Sequence, residues 1–319
     1  MKKAAYILIA CILVCCVLLW VTPKKAEVTD FAMDTVVSIS LRAKNAKDTA
    51  NTAIKEIKRL DALMSVTNPK SDVYKINSAK AEEAVKIDSE LFDLLKLCME
   101  ISKKTDGAFD ITVNPLSKIW DIKAENPKVP DSNAIQKAKQ LVGYENIILN
   151  EKDNTVTKKK DSISITLGAI AKGYATDKAA KILRDNGVKD AVIDFGGNIY
   201  VIGKDKKIGL QTPFKKRGQY FKVCKVSDTS VVTSGAYERY FEHDGKIYHH
   251  ILNLKTGYPA DSGIKSVSII CTSSATADAL STAIFVSGKD NAEKILNKFE
   301  DAKAIIYSDD GSITSLGNN

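Results

Sequence analysis

The sequence predicts an α+β fold in which mixed, largely antiparallel sheets pack against helices. Helical and strand-like segments do not alternate in the regular βαβ order that a parallel sheet requires. Residues 191–270 are mostly short strand-like runs separated by glycine-containing turns, a pattern typical of antiparallel sheets. With 319 residues, of which 44% are hydrophobic, the chain can bury a large core. No repeat or clear border divides residues 23–319, so we expect one domain there, preceded by a signal peptide or membrane anchor at residues 1–22.

Hydrophobic periodicity assigns the elements in chain order. Two strands are predicted at 27–33 and 34–42. A helix at 45–64 has apolar residues every three to four positions, which gives it one face to bury. A helix at 168–186 ends before Gly187, a residue that commonly terminates helices. The other predicted elements are helices at 89–104, 131–141, 273–283 and 292–299, a meander of strands at 146–149, 155–157 and 162–165, and two closing strands.

The first residues have the pattern of an export signal. Lys2 and Lys3 precede an unbroken apolar run at 4–21. Cys11 ends a segment that is similar to a lipoprotein cleavage box, but a run of this length can also just span a bilayer as an uncleaved helix. Under either alternative we expect the protein body to be tethered at the extracytoplasmic face of the cell membrane.

Composition and motif spacing exclude several classes of site. The net charge of +8 comes from lysine-rich runs without interleaved aromatic residues, so nucleic-acid binding is not predicted. Cys98, Cys224 and Cys271 lack the spacing of a disulfide framework or a zinc site. Neither a GxGxxG fingerprint nor a P-loop is present, which excludes the two familiar nucleotide cradles.

Asp278 and Thr282 are the first candidates for chemistry. They are four residues apart in the predicted helix at 273–283, so they lie on one helix face. A carboxylate and a hydroxyl are hard oxygen ligands of the kind that Mg²⁺ accepts together with phosphate oxygens. The alternative at this point is a tightly packed helix with a capped N-terminus and a solvated aspartate.

Three other segments have patterns that favour ligand binding, although each also has a purely structural explanation. The helix start at 167–177 is rich in small residues, which leaves backbone groups open to an anion at the positive helix end. Residues 194–198 contain two adjacent glycines, where the backbone must bend or approach a neighbour closely. Residues 248–257 end a strand in a turn and include His249 and His250.

Taken together and in this order, the motifs resemble the ApbE family of FAD:protein FMN transferases. The resemblance covers about residues 32–288. The segments that carry it are Met33-Asp34-Thr35, Gly107-Ala108-Phe109-Asp110, residues 168–174, Gly196-Gly197-Asn198, Thr233-Ser234-Gly235, residues 250–257 and residues 277–283.

The resemblance implies a T-fold-like architecture and assigns roles to individual residues. It implies that Mg²⁺ is held by the Ala169 carbonyl, Asp278 and the Thr282 hydroxyl. The implied binding residues for FAD, the substrate, are Met33, Thr67, Ala108, Phe109, Asp110, Thr166, Lys172, His250 and Ile251. Three positions depart from the usual family pattern: Thr67 replaces a common tyrosine, Thr166 a common aspartate and Asn253 the aspartate of the histidine motif.

The implied reaction transfers FMN from FAD to a Ser or Thr hydroxyl of an acceptor protein and releases AMP. Asp278, Lys172 and His250 would be the catalytic residues, with His250 as a general base whose ordinary pKa of about 6.5 suits proton transfer. The alternative for His250 is a strand residue that only hydrogen-bonds FAD or the backbone. The family's acceptors are membrane redox-complex subunits and exported flavoproteins. Two alternatives stay open: a metal-dependent FAD pyrophosphatase, and an exported FAD-binding protein that transfers nothing.

Overall fold

A computed structural model describes residues 23–317 and shows an α+β fold built around one large antiparallel sheet. Within these residues the sheet has eight strands in the order β1-β2-β6-β7-β10-β13-β14-β15. The strands of the described chain are β1 (Lys24–Ala32), β2 (Thr35–Ala43), β3 (Val85–Lys86), β4 (Ile147–Asn150), β5 (Thr155–Lys158), β6 (Asp190–Phe195), β7 (Asn198–Gly203), β8 (Lys206–Gln211), β9 (Tyr220–Val226), β10 (Thr229–Gly235), β11 (Tyr240–His243), β12 (Lys246–His249), β13 (Ile264–Cys271), β14 (Lys303–Ser308) and β15 (Ile313–Leu316).

The helices of the described chain are α1 (Ala46–Met64), α2 (Asp72–Ser78), α3 (Ser89–Lys104), α4 (Asn114–Trp120), α5 (Ser132–Lys139), α6 (Ala171–Asp185), α7 (Ser274–Ser287) and α8 (Lys289–Leu296). Helices α1, α6, α7 and α8 pack on one face of the large sheet. Helices α4 and α5 instead pack against each other and Leu252 in a separate apolar cluster. Alternate residues of β2, among them Val37 and Ile39, are fully buried against Ile57 and Leu60 of α1. The period of two in the strand and of about 3.6 in the helix therefore produce the core that the sequence predicts.

Two hairpin turns come together at one end of this sheet. The register pairs Val37 with Phe195, which places the β1–β2 turn beside the β6–β7 turn. At the second turn Gly196 has a φ of 57°, and a Cβ on it would lie 2.5 Å from the Thr35 hydroxyl oxygen. Glycine is required there because the two turns touch.

Three small sheets complete the described part of the fold. β8 and β9 form a hairpin whose apolar residues pack with Val201 and Val231 on the face of the large sheet opposite the helices. β11 and β12 form a second hairpin, and the remaining sheet has the order β3-β5-β4.

The structure confirms the α+β class and the antiparallel sheets and corrects several elements. The predicted third strand of the meander, at 162–165, is not a strand, and the third member of that small sheet is the two-residue β3. Helices α2 and α4 are absent from the sequence-based assignment because both have only seven residues. So short a segment shows no more than two turns of periodicity.

The predicted anchor at residues 1–22 lies outside the described residues. Among residues 23–317, no helix combines the length and apolar character needed to cross a membrane.

Candidate functional site

The site is built where helices α6 and α7 approach each other closely. A Cβ on Gly173 of α6 would lie 2.2 Å from the Ser274 carbonyl oxygen and 2.8 Å from the Ala275 Cα. No larger residue fits at this contact, because non-bonded heavy atoms cannot come so close. The contact places the first turn of α6 directly against Asp278 of α7.

The Asp278 carboxylate is buried but compensated by donors from α6. Asp278 is only 3% exposed, and its Oδ2 accepts a hydrogen bond of 3.0 Å from the Gly173 backbone N–H. The Lys172 Nζ lies 3.5 Å from both carboxylate oxygens. Burying a carboxylate is costly without hydrogen-bond donors or a cation beside it, and here the N-terminal turn of a helix and the Lys172 side chain supply both.

The bond from Gly173 to Asp278 also frees a backbone carbonyl. In a regular helix the Gly173 N–H would donate to the carbonyl of Ala169, four residues earlier. It donates to Asp278 instead, and no donor within residues 23–317 forms a hydrogen bond with the Ala169 carbonyl. The Ala169 oxygen therefore remains available for another partner.

Thr282 lies one turn beyond Asp278 and joins a small group of hydroxyls. The Ser234 Oγ of β10 lies 2.7 Å from the Ser281 Oγ and 3.4 Å from the Thr282 Oγ1. Ser281 is fully buried, whereas Thr282 is half-buried and reaches solvent. Ser234 was not assigned a role from the sequence, although its Thr-Ser-Gly segment was one of the ordered motifs and could have identified it.

This donor set fits Mg²⁺ better than a softer metal. Residues 23–317 contain no group of three His, Cys, Asp or Glu side chains arranged to hold a metal ion. A site at Asp278 would instead combine one carboxylate, the Thr282 hydroxyl and the Ala169 carbonyl with oxygens from a phosphate ligand. Hard oxygen donors, with few from carboxylates, are typical of Mg²⁺ bound together with a nucleotide.

His250 lies in a concave part of the surface close to these residues. Its side chain is reached by solvent, yet protein surrounds it on most sides, and the resulting desolvation lowers the pKa of its imidazole to about 3. The nearby charges of Arg239 and Lys172 lower the pKa further. The surroundings of His250 therefore lower its pKa below the ordinary value near 6.5, which favours the neutral ring at pH 7.

The tautomer of His250 follows from the hydrogen bond that its ring forms with the described part of the chain. Its Nδ1 lies 3.3 Å from the Arg239 carbonyl oxygen, which can only accept, so Nδ1 carries the proton. The Nε2 of the neutral ring is then left with its lone pair. A free lone pair on an accessible nitrogen is what a proton acceptor requires.

Two of the predicted FAD-binding residues lie near the C-terminal end of α1. Met33 is in the β1–β2 turn with a φ of 45°, and its N–H donates to the Asp61 carboxylate over 3.0 Å. Thr67 is exposed just beyond the end of α1, where its Oγ1 lies 3.2 Å from the Ser65 Oγ. Asp61 and Met64 are one turn apart in α1, so the helix links these two loops.

Three other predicted FAD-binding residues are buried inside the protein. Phe109 and Ile251 are 2% and 5% exposed, and each belongs to an apolar core. The Asp110 carboxylate accepts from the Thr112 N–H and hydroxyl and from the Tyr144 N–H, and burial raises its pKa. The structure thus places these three side chains inside the protein and leaves the half-buried Ala108 as the accessible member of that segment.

Thr166 shapes the loop that leads into α6. Its N–H donates to the Ile111 carbonyl over 2.8 Å, and its Oγ1 accepts from the Gly168 N–H over 3.3 Å. The threonine that replaces a common family aspartate therefore holds the backbone just before Ala169.

The desolvation of two histidine rings predicts how the stability of the protein changes in acid. His249, whose Nε2 donates to the Ala260 carbonyl, and His250 both have a pKa lowered by desolvation. Below about pH 6.5 the unfolded chain takes up protons that the folded protein refuses, so stability falls as the pH decreases from there toward 3. We expect the decrease in Tm between pH 7 and pH 5 to be smaller in His250→Gln than in the wild type. His243→Gln, at an exposed position, is the control and should keep the wild-type decrease; equal decreases in all three proteins would contradict the assignment.

Comparisons with known proteins agree on one family. The sequence model of the ApbE family matches residues 33–306. The chain is 36% identical over 252 residues to an FAD:protein FMN transferase of Klebsiella pneumoniae, covering 79% of each protein. It is 30% identical to a protein of the same name from Treponema pallidum, with 88% of this chain and 84% of that protein covered.

Solved structures show the same similarity. The crystal structure of the ApbE protein from Thermotoga maritima superposes with a TM-score of 0.84 at 36% identity, over 91% of this chain and 96% of the other. The apo flavinyl transferase ApbE of Pseudomonas stutzeri gives a TM-score of 0.79 at 25% identity, over 92% and 95% of the two chains.

Proposed function

The chain belongs to the ApbE family, and from this premise we propose that it is an FAD:protein FMN transferase that attaches FMN to a Ser or Thr hydroxyl of an acceptor protein and releases AMP. The observation that carries the proposal is the arrangement around Asp278. A buried carboxylate, a freed backbone carbonyl at Ala169 and an accessible hydroxyl at Thr282 come together beside the cation of Lys172.

The proposed metal is Mg²⁺, held by Asp278, Thr282 and the Ala169 carbonyl. When bound, it would neutralise charge on the diphosphate of FAD, which lowers the barrier to attack at phosphorus. Lys172 supplies a second positive charge at the same place. Its ammonium is 3.5 Å from Asp278, so it can turn toward a phosphate oxygen without leaving the site.

His250 is the proposed proton acceptor. The acceptor hydroxyl oxygen forms a bond to the FMN phosphorus, the bond from that phosphorus to the bridging oxygen breaks, and AMP leaves. The hydroxyl proton passes to the His250 Nε2, which has the free lone pair. A bound diphosphate next to the imidazole would raise its pKa from about 3 toward the range in which a base works well.

Replacing Lys172 by Ala tests the role of its charge. We expect kcat/KM for flavin transfer to fall by about ten- to a hundredfold, because one charge at the diphosphate is lost while the Asp278 carboxylate keeps its hydrogen bond from the Gly173 N–H. The measurement is in-gel flavin fluorescence of an acceptor protein. Lys181→Ala is a matched control, since Lys181 lies on the exposed face of the same helix and pairs only with Asp185 among the described residues. An unchanged kcat/KM in Lys172→Ala would remove this residue from the site.

A metal-dependent FAD pyrophosphatase is the second candidate, because solvent reaches both Thr282 and His250. Water could then attack the same phosphorus and yield free FMN. Incubating the enzyme with FAD and Mg²⁺, with and without an acceptor protein, separates the two activities. A transferase releases AMP rapidly only when acceptor is present, and FMN appears bound to it. Equal AMP release without acceptor would favour the hydrolase, and none under either condition would leave a flavin-binding protein.

The proposed location is the extracytoplasmic face of the cell membrane, with the apolar run at 4–21 as the tether. The proposed acceptors are membrane redox-complex subunits or exported flavoproteins that present a Ser or Thr to the site.

A further inference from the structure

Seven basic residues gather at the end of the large sheet that lies opposite the site. The register pairs Lys25 with Arg42 and Asp190 with Gly203. The start of β1, the end of β2, the start of β6 and the end of β7 therefore lie side by side at one end of the strands. We call the basic residues at this end the basic rim. Its members are Lys24, Lys25, Arg42, Lys44, Lys47, Lys189 and Lys204.

The charge of the basic rim is not neutralised by its neighbours. All seven residues are exposed, and no carboxylate of residues 23–317 lies within 4.0 Å of any of their side-chain nitrogens. Other basic residues nearby are paired, such as Lys206 with Asp190 at 2.6 Å and Arg184 with Asp228 at 2.8 Å. The basic rim therefore keeps a local excess of positive charge, whereas the basic residues beside it are neutralised by ion pairs.

The basic rim lies close in sequence to the end of the apolar run. That run ends at residue 21, and β1 begins with Lys24, so that only two residues separate them in the chain. The rim thus surrounds the point at which the described body joins the run. The site lies at the other end of the strands, beyond the Met33 turn. A nine-residue strand rising about 3.3 Å per residue places it roughly 30 Å away.

We propose that the basic rim rests on the anionic lipid headgroups of the membrane to which the run at 4–21 tethers the protein. This inference rests on the proposed tether but not on flavin transfer. An apolar segment and a cluster of basic residues are two membrane signals that act together. Each cation near an anionic surface adds about fivefold to membrane affinity. The tether holds these seven cations close to the bilayer, so their attraction sets the orientation of the body.

The orientation has a consequence for the acceptor. With the rim on the membrane and the strands directed away from it, the site is held about 30 Å above the lipid surface. Acceptor proteins are then those that carry their reactive hydroxyl at a similar height outside the bilayer.

Amide hydrogen exchange on the full chain in proteoliposomes tests the proposal. We compare vesicles of phosphatidylcholine with vesicles that contain about 30% phosphatidylglycerol, a typical anionic fraction. Peptides that span residues 43–46 and 203–205 at the rim are expected to exchange at least about threefold more slowly on the anionic vesicles. Raising the salt to about 0.5 M, where the Debye length is below about 5 Å, should abolish this protection.

A matched pair of variants identifies the residues responsible. The rim variant carries Arg42→Gln, Lys44→Gln, Lys189→Gln and Lys204→Gln, which spares the two lysines next to the apolar run. The control variant carries Lys80→Gln, Lys86→Gln, Lys159→Gln and Lys160→Gln, four exposed lysines around the small β3-β5-β4 sheet. The rim variant should lose the protection and the control variant should retain it. Equal exchange of the wild type on both kinds of vesicle, or equal loss in both variants, would overturn the proposal; neither result would bear on the transferase activity.

Discussion

Replacing Asp278 by Asn should reduce flavin transfer by at least about a hundredfold and leave the fold intact. The amide removes the negative charge that would hold a divalent cation, which is the main contribution of this side chain to the site. It keeps a carbonyl oxygen that can still accept the 3.0 Å hydrogen bond from the Gly173 N–H. Asp278→Ala is a less clean test, because it leaves that buried N–H without an acceptor at a cost of about 1–3 kcal/mol.

The measurement for Asp278→Asn is acceptor flavinylation at several Mg²⁺ concentrations, with thermal unfolding measured in parallel. Asp185→Asn is the matched control, since this carboxylate is exposed on α6 and pairs with Lys181. We expect wild-type transfer in the control and an unchanged Tm in both proteins within a few degrees. Full transfer in Asp278→Asn would refute the assignment of this residue as a metal ligand.

Replacing Gly173 by Ala should destabilise the protein by about 3 kcal/mol and abolish transfer. Alanine favours an isolated helix over glycine by about 1 kcal/mol, so propensity alone predicts stabilisation. The packing predicts the opposite, because the new Cβ would lie 2.2 Å from the Ser274 carbonyl oxygen. Helices α6 and α7 would have to separate, which costs free energy and moves Lys172 away from Asp278.

Chemical denaturation and the flavinylation assay measure the two effects of Gly173→Ala. Gly168→Ala is the control for stability, because its Cβ would meet only the Thr166 hydroxyl at 3.6 Å, an ordinary contact. A Gly173→Ala protein as stable as the wild type would mean that the two helices are not in the contact described.

The fold class was predictable because long, periodic elements dominate the chain. Helix α3 begins and ends where its periodicity does, at residues 89 and 104, and α1 differs from the expected helix by a single residue. The pairing order of the large sheet was not predictable, because β10 lies between β7 and β13 only through contacts distant in the chain. The start of α6 was also misjudged: residues 168–170 form a turn and not a helix, because the Gly173 N–H donates to Asp278 and not to the Ala169 carbonyl.

The site was predictable in part, through the resemblance and through the spacing of Asp278 and Thr282. Their position on one helix face follows from four-residue spacing in any helix. The hydrogen bond from the Gly173 N–H to Asp278, made in place of one to Ala169, could not be foreseen, because it joins residues that are 105 positions apart in the chain. The lowered pKa of His250 was not foreseen for a related reason. It depends on desolvation by the protein atoms around the ring, which no local sequence pattern indicates.

The central claim is that Asp278, Thr282 and the Ala169 carbonyl hold a divalent cation at the diphosphate of FAD. The most direct test is a crystal soaked with FAD and Mn²⁺ in place of Mg²⁺, with the metal located by its anomalous signal. We predict one peak about 2.1–2.2 Å from an Asp278 carboxylate oxygen, the Thr282 Oγ1 and the Ala169 carbonyl oxygen, with diphosphate oxygens completing the shell. A peak elsewhere, or diphosphate bound with these three oxygens remote from any metal, would contradict the account.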